Sequence, residues 1–304
     1  MEIYLPIAKM SVHWLIVLGM GGAIGFLSGM FGVGGGFLLT PLLIFYGVPA
    51  EVAVATTSSH ITASSISGAL AQWRKRAVDL KMGGVMAAGG LLGTVFGVWL
   101  FTLMRRYGQM DLLVSASYVL LLGTVGGLML NESVAALRAA RSGAPARKRA
   151  PHLWMHGLPF KMRFRESRLY ISVIPPAMIG VFVGILSAIM GVGGGFVIVP
   201  AMIYLLRMPT NVVMGTSLFQ IIIVTAAVTL LQATTNFSVD IVLALFLILG
   251  GVVGAQFGVR IGSRLRGEQL RLLLALLVLG VGLRLFLGLV LRPDDPYSVT
   301  SVMP

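Results

Sequence analysis

Ten long apolar segments, separated by short polar stretches, constrain this chain more than any other feature of its sequence. Most of them approach the ~20 residues that a helix needs to cross the hydrocarbon core of a bilayer. Only 11% of the residues are charged, against about 25% in soluble domains, so a water-facing surface could not cover these segments. The segments predict an all-α integral membrane protein. They span residues 12–31, 37–48, 52–73, 82–104, 112–130, 171–190, 196–206, 212–233, 241–261 and 270–291.

The first five segments and the last five repeat each other. The sequence from Gly25 to Pro41 matches that from Gly184 to Pro200, and both contain Gly-Val-Gly-Gly-Gly-Phe. The match continues through Pro49 and Pro209, Thr56-Thr57 and Thr216-Ser217, His60 and Gln220, Gln72 and Gln232, Asp79 and Asp240, and the residues at 89, 93, 96 and 97 with those at 250, 254, 257 and 258. The chain therefore divides into a first transmembrane repeat (1–131), a basic loop (132–169), a second transmembrane repeat (170–292) and a short tail (293–304).

The second segment of each repeat is too short to span a bilayer comfortably. It is expected to form a glycine-broken helical hairpin with the segment before it. The first apolar run follows Lys9 in the manner of a signal peptide. Because its glycine motif recurs near residue 190, we expect it to belong to the fold.

Charge predicts how the repeats are oriented. Between Glu132 and Arg168 there are nine basic and two acidic residues, which supply most of the net charge of +13. Basic loops lie on the cytoplasmic side of a membrane. The loops near residues 74–81 and 264–271 are also basic, at non-equivalent positions of the two repeats. The repeats are thus predicted to be inverted relative to each other, with both termini outside the cell. A basic loop beside membrane spans does not favour a nucleic-acid partner.

The glycine motifs are the first candidate for a binding site. Three glycines in series weaken a helix, and unwound backbone at membrane depth requires a protein interior or a wet cavity. The helix that follows would begin inside the protein with free N–H groups, which attract anions. A close-packed glycine bend without a ligand is the alternative. Neither a dinucleotide-binding motif nor a phosphate-binding loop fits the spacing.

The third segment of each repeat carries polar residues where lipid would not accept them. Such residues usually face the interior of a helix bundle and often mark a transport pathway, although Ser and Thr also bond to their own helix. His60 is predicted near mid-membrane, either as a titrating group that couples transport to protons or as a neutral bridge. The predicted substrate-binding residues are Gly34, Gly35, Gly36, Thr56, Thr57, His60, Gly193, Gly194, Gly195, Thr216, Ser217 and Gln220.

Other marked residues have structural interpretations. Asp79 and Asp240 are predicted helix N-caps, and Gln72 and Gln232 are candidates for hydrogen bonds between helices. Residues 160–170 alternate apolar and basic residues, which suits either a hairpin or a disordered arm. Arg284 should extend toward the membrane surface or face an anion. Close helix packing is expected at Gly21, Gly25, Gly29, Gly180, Gly184 and Ala188.

These residues resemble the sulfite exporter TauE/SafE family of membrane proteins. The resemblance rests on Ser28 to Pro41, on its echo from Ser187 to Pro200, and on Gly215-Thr216-Ser217. It implies a transporter of sulfite, thiosulfate, organosulfonates or related anions, with export as the expected direction and without a cofactor. No metal site is expected, because the sequence has no cluster of metal ligands. It also implies a multi-pass protein of the inner (plasma) membrane.

Several functions remain open at this point. The leading one is a secondary transporter of small anions, embedded in a lipid bilayer, with coupled protons and a homo-oligomeric state as further expectations. A passive anion channel and a transporter of a non-sulfur organic anion are the alternatives. An intramembrane enzyme is not expected, because the sequence has no clustered metal ligands and no cysteine. An assembly partner would not need two inward glycine bends.

Overall fold

A computed structural model describes residues 2–31, 36–74, 78–142, 159–164, 166–167, 169–262 and 267–290. Within these residues the chain forms ten α-helices and two short β-hairpins, which confirms the all-α membrane class. The helices are α1 (Trp14–Phe31), α2 (Gly36–Phe45), α3 (Ala50–Arg74), α4 (Leu80–Arg106), α5 (Met110–Ser142), α6 (Ile174–Met190), α7 (Gly195–Pro200), α8 (Thr210–Leu231), α9 (Ile241–Gly262) and α10 (Gly267–Val290). The strands are β1 (Glu2–Leu5), β2 (Met10–His13), β3 (Lys161–Phe164) and β4 (Leu169–Ser172).

Five apolar stretches within the described helices are long enough to cross a membrane. They are Leu80–Arg106, Met110–Asn131, Val212–Asn236, Ile241–Gly258 and Leu273–Val290. The helix α3 has the length of a span, with 25 residues, but its polar residues lower its hydropathy. The remaining apolar helices are short, as expected for hairpins that turn back inside the protein.

Glycine faces hold helices of the two repeats in direct backbone contact. A Cβ added at Gly21 or Gly25 would lie 2.5 Å from the Leu247 carbonyl oxygen or 2.2 Å from that of Gly251. The helix α1 therefore packs on α9 without room for side chains, and α6 packs on α4 in the same way through Gly180 and Gly184. Van der Waals packing of this kind can hold helices together in lipid, where the hydrophobic effect does not. The predicted packing role of these glycines is confirmed.

The same contacts show which way the paired helices run. Along α1, Gly21, Gly25 and Gly29 meet progressively later residues of α9, so the two helices are parallel. The pair α4 and α6 is parallel as well. Each pair joins the first helix of one repeat to the fourth helix of the other, while α3 packs on α8 and α5 on α10. Helices of each repeat thus pack mainly on the equivalent set of helices in the other repeat, as expected of two related repeats. The opposite orientation of the repeats in the membrane remains a prediction.

Each repeat begins with a small β-hairpin. The strands β1 and β2 pair antiparallel just before α1, and β3 and β4 do so just before α6. The second hairpin confirms the hairpin interpretation of residues 160–170. The first one was not predicted, because its sequence merges into the apolar run that follows.

Two aspartates fasten the hairpins to the helices. Asp79 caps α4 by accepting the Met82 N–H at 3.0 Å, which confirms its predicted role. Its other oxygen accepts the backbone N–H of Ser167 at 3.1 Å and the hydroxyl of Ser167 at 2.6 Å. Asp240 likewise caps α9 at Leu243 and accepts the N–H of Ile7 at 3.0 Å, in the turn of the first hairpin.

Two π-helical turns occur in the second repeat, at Ala201–Leu205 and Gln232–Asn236. Each lies where the second repeat has one residue more than the first. Seven residues separate Pro41 from Pro49, but eight separate Pro200 from Pro209. A π-turn accommodates one extra residue within a helix, so these turns let both repeats keep the same path.

The helix α5 continues as one helix through Ser142, beyond residue 131 and into the basic loop. The rest of the predicted linker, and the tail after residue 290, lie outside the described residues.

Candidate functional site

The break between α6 and α7 is built from glycines in the left-handed conformation. Gly191, Gly193 and Gly194 have φ angles of 69°, 68° and 75°. A side chain is strained at such angles. The break is also buried, and a Cβ on Gly194 would lie 2.0 Å from Cγ1 of Val183. The predicted interruption of the helix therefore exists in the second repeat.

The corresponding glycines of the first repeat, Gly34 and Gly35, lie outside the described residues. Gly36, which follows them, is buried at the start of α2. A Cβ there would lie 1.9 Å from Cδ1 of Ile61 on α3, and one on Gly193 would lie 2.8 Å from Cγ2 of the same side chain. The two glycine-broken segments thus meet around Ile61.

The phenylalanines that follow the breaks confirm this meeting. The rings of Phe37 and Phe196 stack with centroids 4.7 Å apart and planes inclined by 21°. They occupy equivalent positions of the two repeats, so the start of α2 and the start of α7 face each other in the interior. Gly195, which begins α7, is buried beside this stack.

The predicted polar residues of α3 and α8 are all buried, but they serve different purposes. Thr56 accepts the backbone N–H of Asp240 at 3.1 Å, and Thr216 accepts that of Asp79 at 2.9 Å. Each threonine therefore joins its own repeat to the cap of a helix in the other. Thr57 has no hydrogen-bond partner for its hydroxyl, whereas the hydroxyl of Ser217 donates to the Met214 carbonyl.

His60 and Gln220 occupy equivalent places in two helix seams. The imidazole of His60 packs on Gly251 of α9, where an added Cβ would lie 2.1 Å from its Cε1 atom. The amide of Gln220 packs on Gly90 of α4, with its Nε2 atom 3.1 Å from an added Cβ. Nδ1 of His60 and both polar atoms of Gln220 have no hydrogen-bond partner. Buried polar atoms are usually paired, so these positions are candidates for water or a ligand.

Other buried residues share this property, including two on the glycine packing faces that were missed from the sequence. Thr94 of α4 and Ser187 of α6 are fully buried, and neither hydroxyl has a partner. Each stands one turn after a glycine of the packing face, at Gly90 and Gly184. The sequence feature that could have identified them is a hydroxyl residue among the small residues of a packing face. This feature is weak, because isolated Ser and Thr are common in membrane helices.

A chain of hydrogen bonds leads from this region to the end of α4. Gln232 donates to the Ala188 carbonyl at 3.4 Å and accepts from Asn236 at 2.6 Å, which supports its predicted role between helices. The side chain of Gln72, its counterpart, lies outside the described residues. Arg105 donates to the Asn236 carbonyl at 2.5 Å and forms an ion pair of 2.7 Å with Glu51.

Arg284 does not enter the interior. It is exposed, and its guanidinium lies 5.5 Å from the ring centroid of Phe45. Among the residues that the structure describes, no three His, Cys, Asp or Glu side chains are grouped to hold a metal ion. Around α3 and α8 the interior offers hydroxyl, amide and imidazole groups for binding.

Comparison with known proteins identifies the family. The family model of the sulfite exporter TauE/SafE matches residues 17–285. A "probable membrane transporter protein" of Xylella fastidiosa (strain 9a5c) is 30% identical over 86% of this chain and 89% of its own length. The "probable membrane transporter protein YjnA" of Bacillus subtilis (strain 168) is 27% identical over 88% of this chain and 97% of its own length.

The similarity extends to archaea. The "probable membrane transporter protein MJ0441" of Methanocaldococcus jannaschii is 24% identical over 92% of this chain and its own full length. No solved structure matches the chain. The match covers both repeats and both glycine motifs. The chain therefore belongs to the sulfite exporter TauE/SafE family and is a multi-pass membrane transporter of the plasma membrane.

Proposed function

We propose that this protein is a secondary transporter that exports small, sulfur-containing anions such as sulfite, thiosulfate or organosulfonates. The observation that carries the proposal is the meeting of two glycine-broken segments beside buried polar side chains of α3 and α8 that lack partners. Transporters often bind substrate where discontinuous helices of two repeats face each other. The family description supports a sulfur oxyanion and the direction of transport.

The proposed binding site lies between the repeats, around Gly36, Gly193 to Gly195, Thr57, His60 and Gln220, and we expect Gly34 and Gly35 to belong to it. An anion loses its hydration when it enters such a site, and that loss must be compensated. The helices α2 and α7 begin inside the protein, and the first N–H groups of a helix have no partner within it. These groups and the unpaired side chains can replace water around an anion without any covalent step. Thr56, Thr216 and Ser217 contribute by fixing α3 and α8, because their hydroxyls already bond the backbone.

Proton coupling fits the position of His60. Its side chain is buried against Gly251. A charged imidazole is costly in such a place unless an opposite charge accompanies it. A proton and an anion that enter together neutralise each other, so occupation of the site by one favours the other. The inverted orientation of the repeats would then allow the loaded site to face either side in turn.

Flux measurements in proteoliposomes test the proposal. Liposomes containing the purified protein should accumulate labelled sulfite or thiosulfate against its gradient when a pH gradient is imposed. Protein-free liposomes are the control. Accumulation of acetate or another carboxylate alone would indicate a non-sulfur anion transporter. Flux that only follows the anion gradient would indicate a channel, and no flux of any of these anions would refute the proposal.

The role of His60 needs a separate variant. His60→Gln keeps a polar side chain of similar reach and makes the two repeats alike at this position. We expect the variant to lose uphill accumulation and the pH dependence of flux between about pH 5.5 and 8.5, because glutamine does not titrate. Downhill flux should persist. An unchanged pH profile with continued accumulation would exclude His60 as the coupling group and leave anion transport intact.

A further inference from the structure

Three fully buried side chains, one in the first repeat and two in the second, share an unusual property. Gln220, Thr94 and Ser187 are inaccessible to solvent, and their four polar atoms have no hydrogen-bond partner. Several hydroxyls in α4 and α8 bond instead to a carbonyl one turn earlier, as Thr102 does to Val98 and Thr225 to Ile221, both at 2.8 Å. Such bonds satisfy a hydroxyl inside a helix. The hydroxyls of Thr94 and Ser187 are therefore available to another molecule.

The three residues lie along the seam of α4, α6 and α8. Nε2 of Gln220 is 3.1 Å from the position that a Cβ on Gly90 would take. A Cβ on Gly184 of α6 would lie 2.1 Å from the Gly90 carbonyl oxygen and 2.9 Å from the backbone nitrogen of Thr94. Ser187 follows Gly184 by three residues, about 4.5 Å along the same helix. The three residues thus follow one another along one seam, within about two helical turns.

We propose that this seam holds the oxyanion of the transported substrate by neutral hydrogen bonds. Two hydroxyl groups and one amide supply four O–H or N–H donors, enough to engage several oxygens of one sulfite or sulfonate group. Oε1 of Gln220 is an acceptor, and it accepts a hydrogen bond from the hydroxyl group of a singly protonated oxyanion. The proposal rests on the function proposed above and names the atoms that recognise the anion.

The equivalent seam of α1, α3 and α9 lacks this arrangement. At the positions equivalent to Gln220 and Thr94 it carries His60 and Ala255, so it has an imidazole in place of the amide and one hydroxyl fewer. Anion recognition is therefore assigned to the seam of α4, α6 and α8. The seam of α1, α3 and α9 remains for proton coupling. This division of roles accounts for the two differences between the seams, His60 in place of Gln220 and Ala255 in place of Thr94.

Thr94→Val and Ser187→Ala test the proposal, because each removes a hydroxyl with little change in shape. Binding of sulfite and of methanesulfonate to the purified full chain is measured by titration and by thermal stability. We expect each variant to lose affinity about tenfold, the usual effect of one hydrogen bond to an anion. The ligand-free variants should be as stable as the wild type or more so, since an unpaired hydroxyl is removed from the interior. A hydroxyl with only a structural role would give the opposite, a less stable protein.

Two controls make the result decisive. Thr94→Ser keeps the hydroxyl and should retain affinity near that of the wild type. Thr124→Val removes an exposed hydroxyl that bonds the Leu120 carbonyl, and it should bind as the wild type does. If the wild type transports these anions and both test variants bind them unchanged, the seam is not the site, although the transporter proposal stands. If the wild type neither binds nor transports any of them, both proposals are refuted.

Discussion

At the scale of single residues, the interior of this protein separates residues that hold the fold from residues that are free to bind. Thr56 and Thr216 came from the same polar pattern as Thr57 and Gln220, yet their hydroxyls are already committed to the backbone of Asp240 and Asp79. Substitution of either threonine would therefore disturb helix assembly as well as any site. The unpaired side chains are better probes of binding.

The glycine break offers a test at this scale. We expect Gly194→Ala to destabilise the protein by about 1–3 kcal/mol, because a left-handed conformation and a clash with Val183 both oppose the new methyl group. Gly84→Ala is the matched control, since an added Cβ there meets nothing within 4 Å and alanine favours a helix. Thermal denaturation in one detergent gives the comparison. Equal melting temperatures for the two variants would contradict a strained break.

At the scale of elements, the two π-turns of the second repeat compensate for differences in length between the repeats. The π-turns at Ala201–Leu205 and Gln232–Asn236 each absorb one residue that the first repeat lacks. Arg207, just after the first π-turn, and its counterpart Gly47 in the first repeat have positive φ angles of 55° and 96°. Both repeats therefore leave this helical hairpin in the same way. Insertions in a membrane helix are more easily absorbed as a bulge than as a shift of every later residue.

The aspartate caps also attach the β-hairpins to the helices. The contribution of this attachment to stability can be tested at Asp79. Asp79→Ala removes the cap of α4 and two hydrogen bonds to Ser167. We expect a loss of about 2–4 kcal/mol in stability. Asp111→Ala, at an exposed position in the first turn of α5, should cost less than about 1 kcal/mol. Similar thermal stability of the two variants would show that Asp79 does not hold the hairpin.

At the scale of the whole molecule, glycine contacts join each repeat to the other more closely than to itself. The close pairs α1 with α9 and α4 with α6 both cross between repeats. A change of access to the interior would then involve movement of these cross-paired helices relative to α3 and α8, which carry the unpaired polar groups. We expect these pairs to move as units on either side of the proposed site.

Topology is the prediction that belongs to this scale. We expect residue 142 to lie in the cytoplasm and residue 301 outside the cell, because basic segments stay on the cytoplasmic side. The chain has no cysteine, so single Ser142→Cys and Ser301→Cys variants can be labelled without background. An impermeant maleimide added to intact cells should label only the second. Labelling of both from the same side would refute the inverted arrangement.

Much of this protein could be predicted from its sequence alone. The membrane class, the ten helical segments, the repeat and the two aspartate caps all follow from local composition and spacing, because a bilayer allows few ways to satisfy a backbone. The glycine motif also located one helix break correctly. These features depend on residues close together in the chain or on a pattern that occurs twice.

The tertiary structure alone decided which polar groups are used and which are free. Whether Thr56 lines a cavity or bonds Asp240 depends on a residue 184 positions away. Thr94 and Ser187 become notable only because α4 and α6 meet at glycines, which leaves their hydroxyls buried without partners. Hydrogen bonds between distant helices depend on packing at the scale of ångströms, and no local pattern in a sequence encodes that distance.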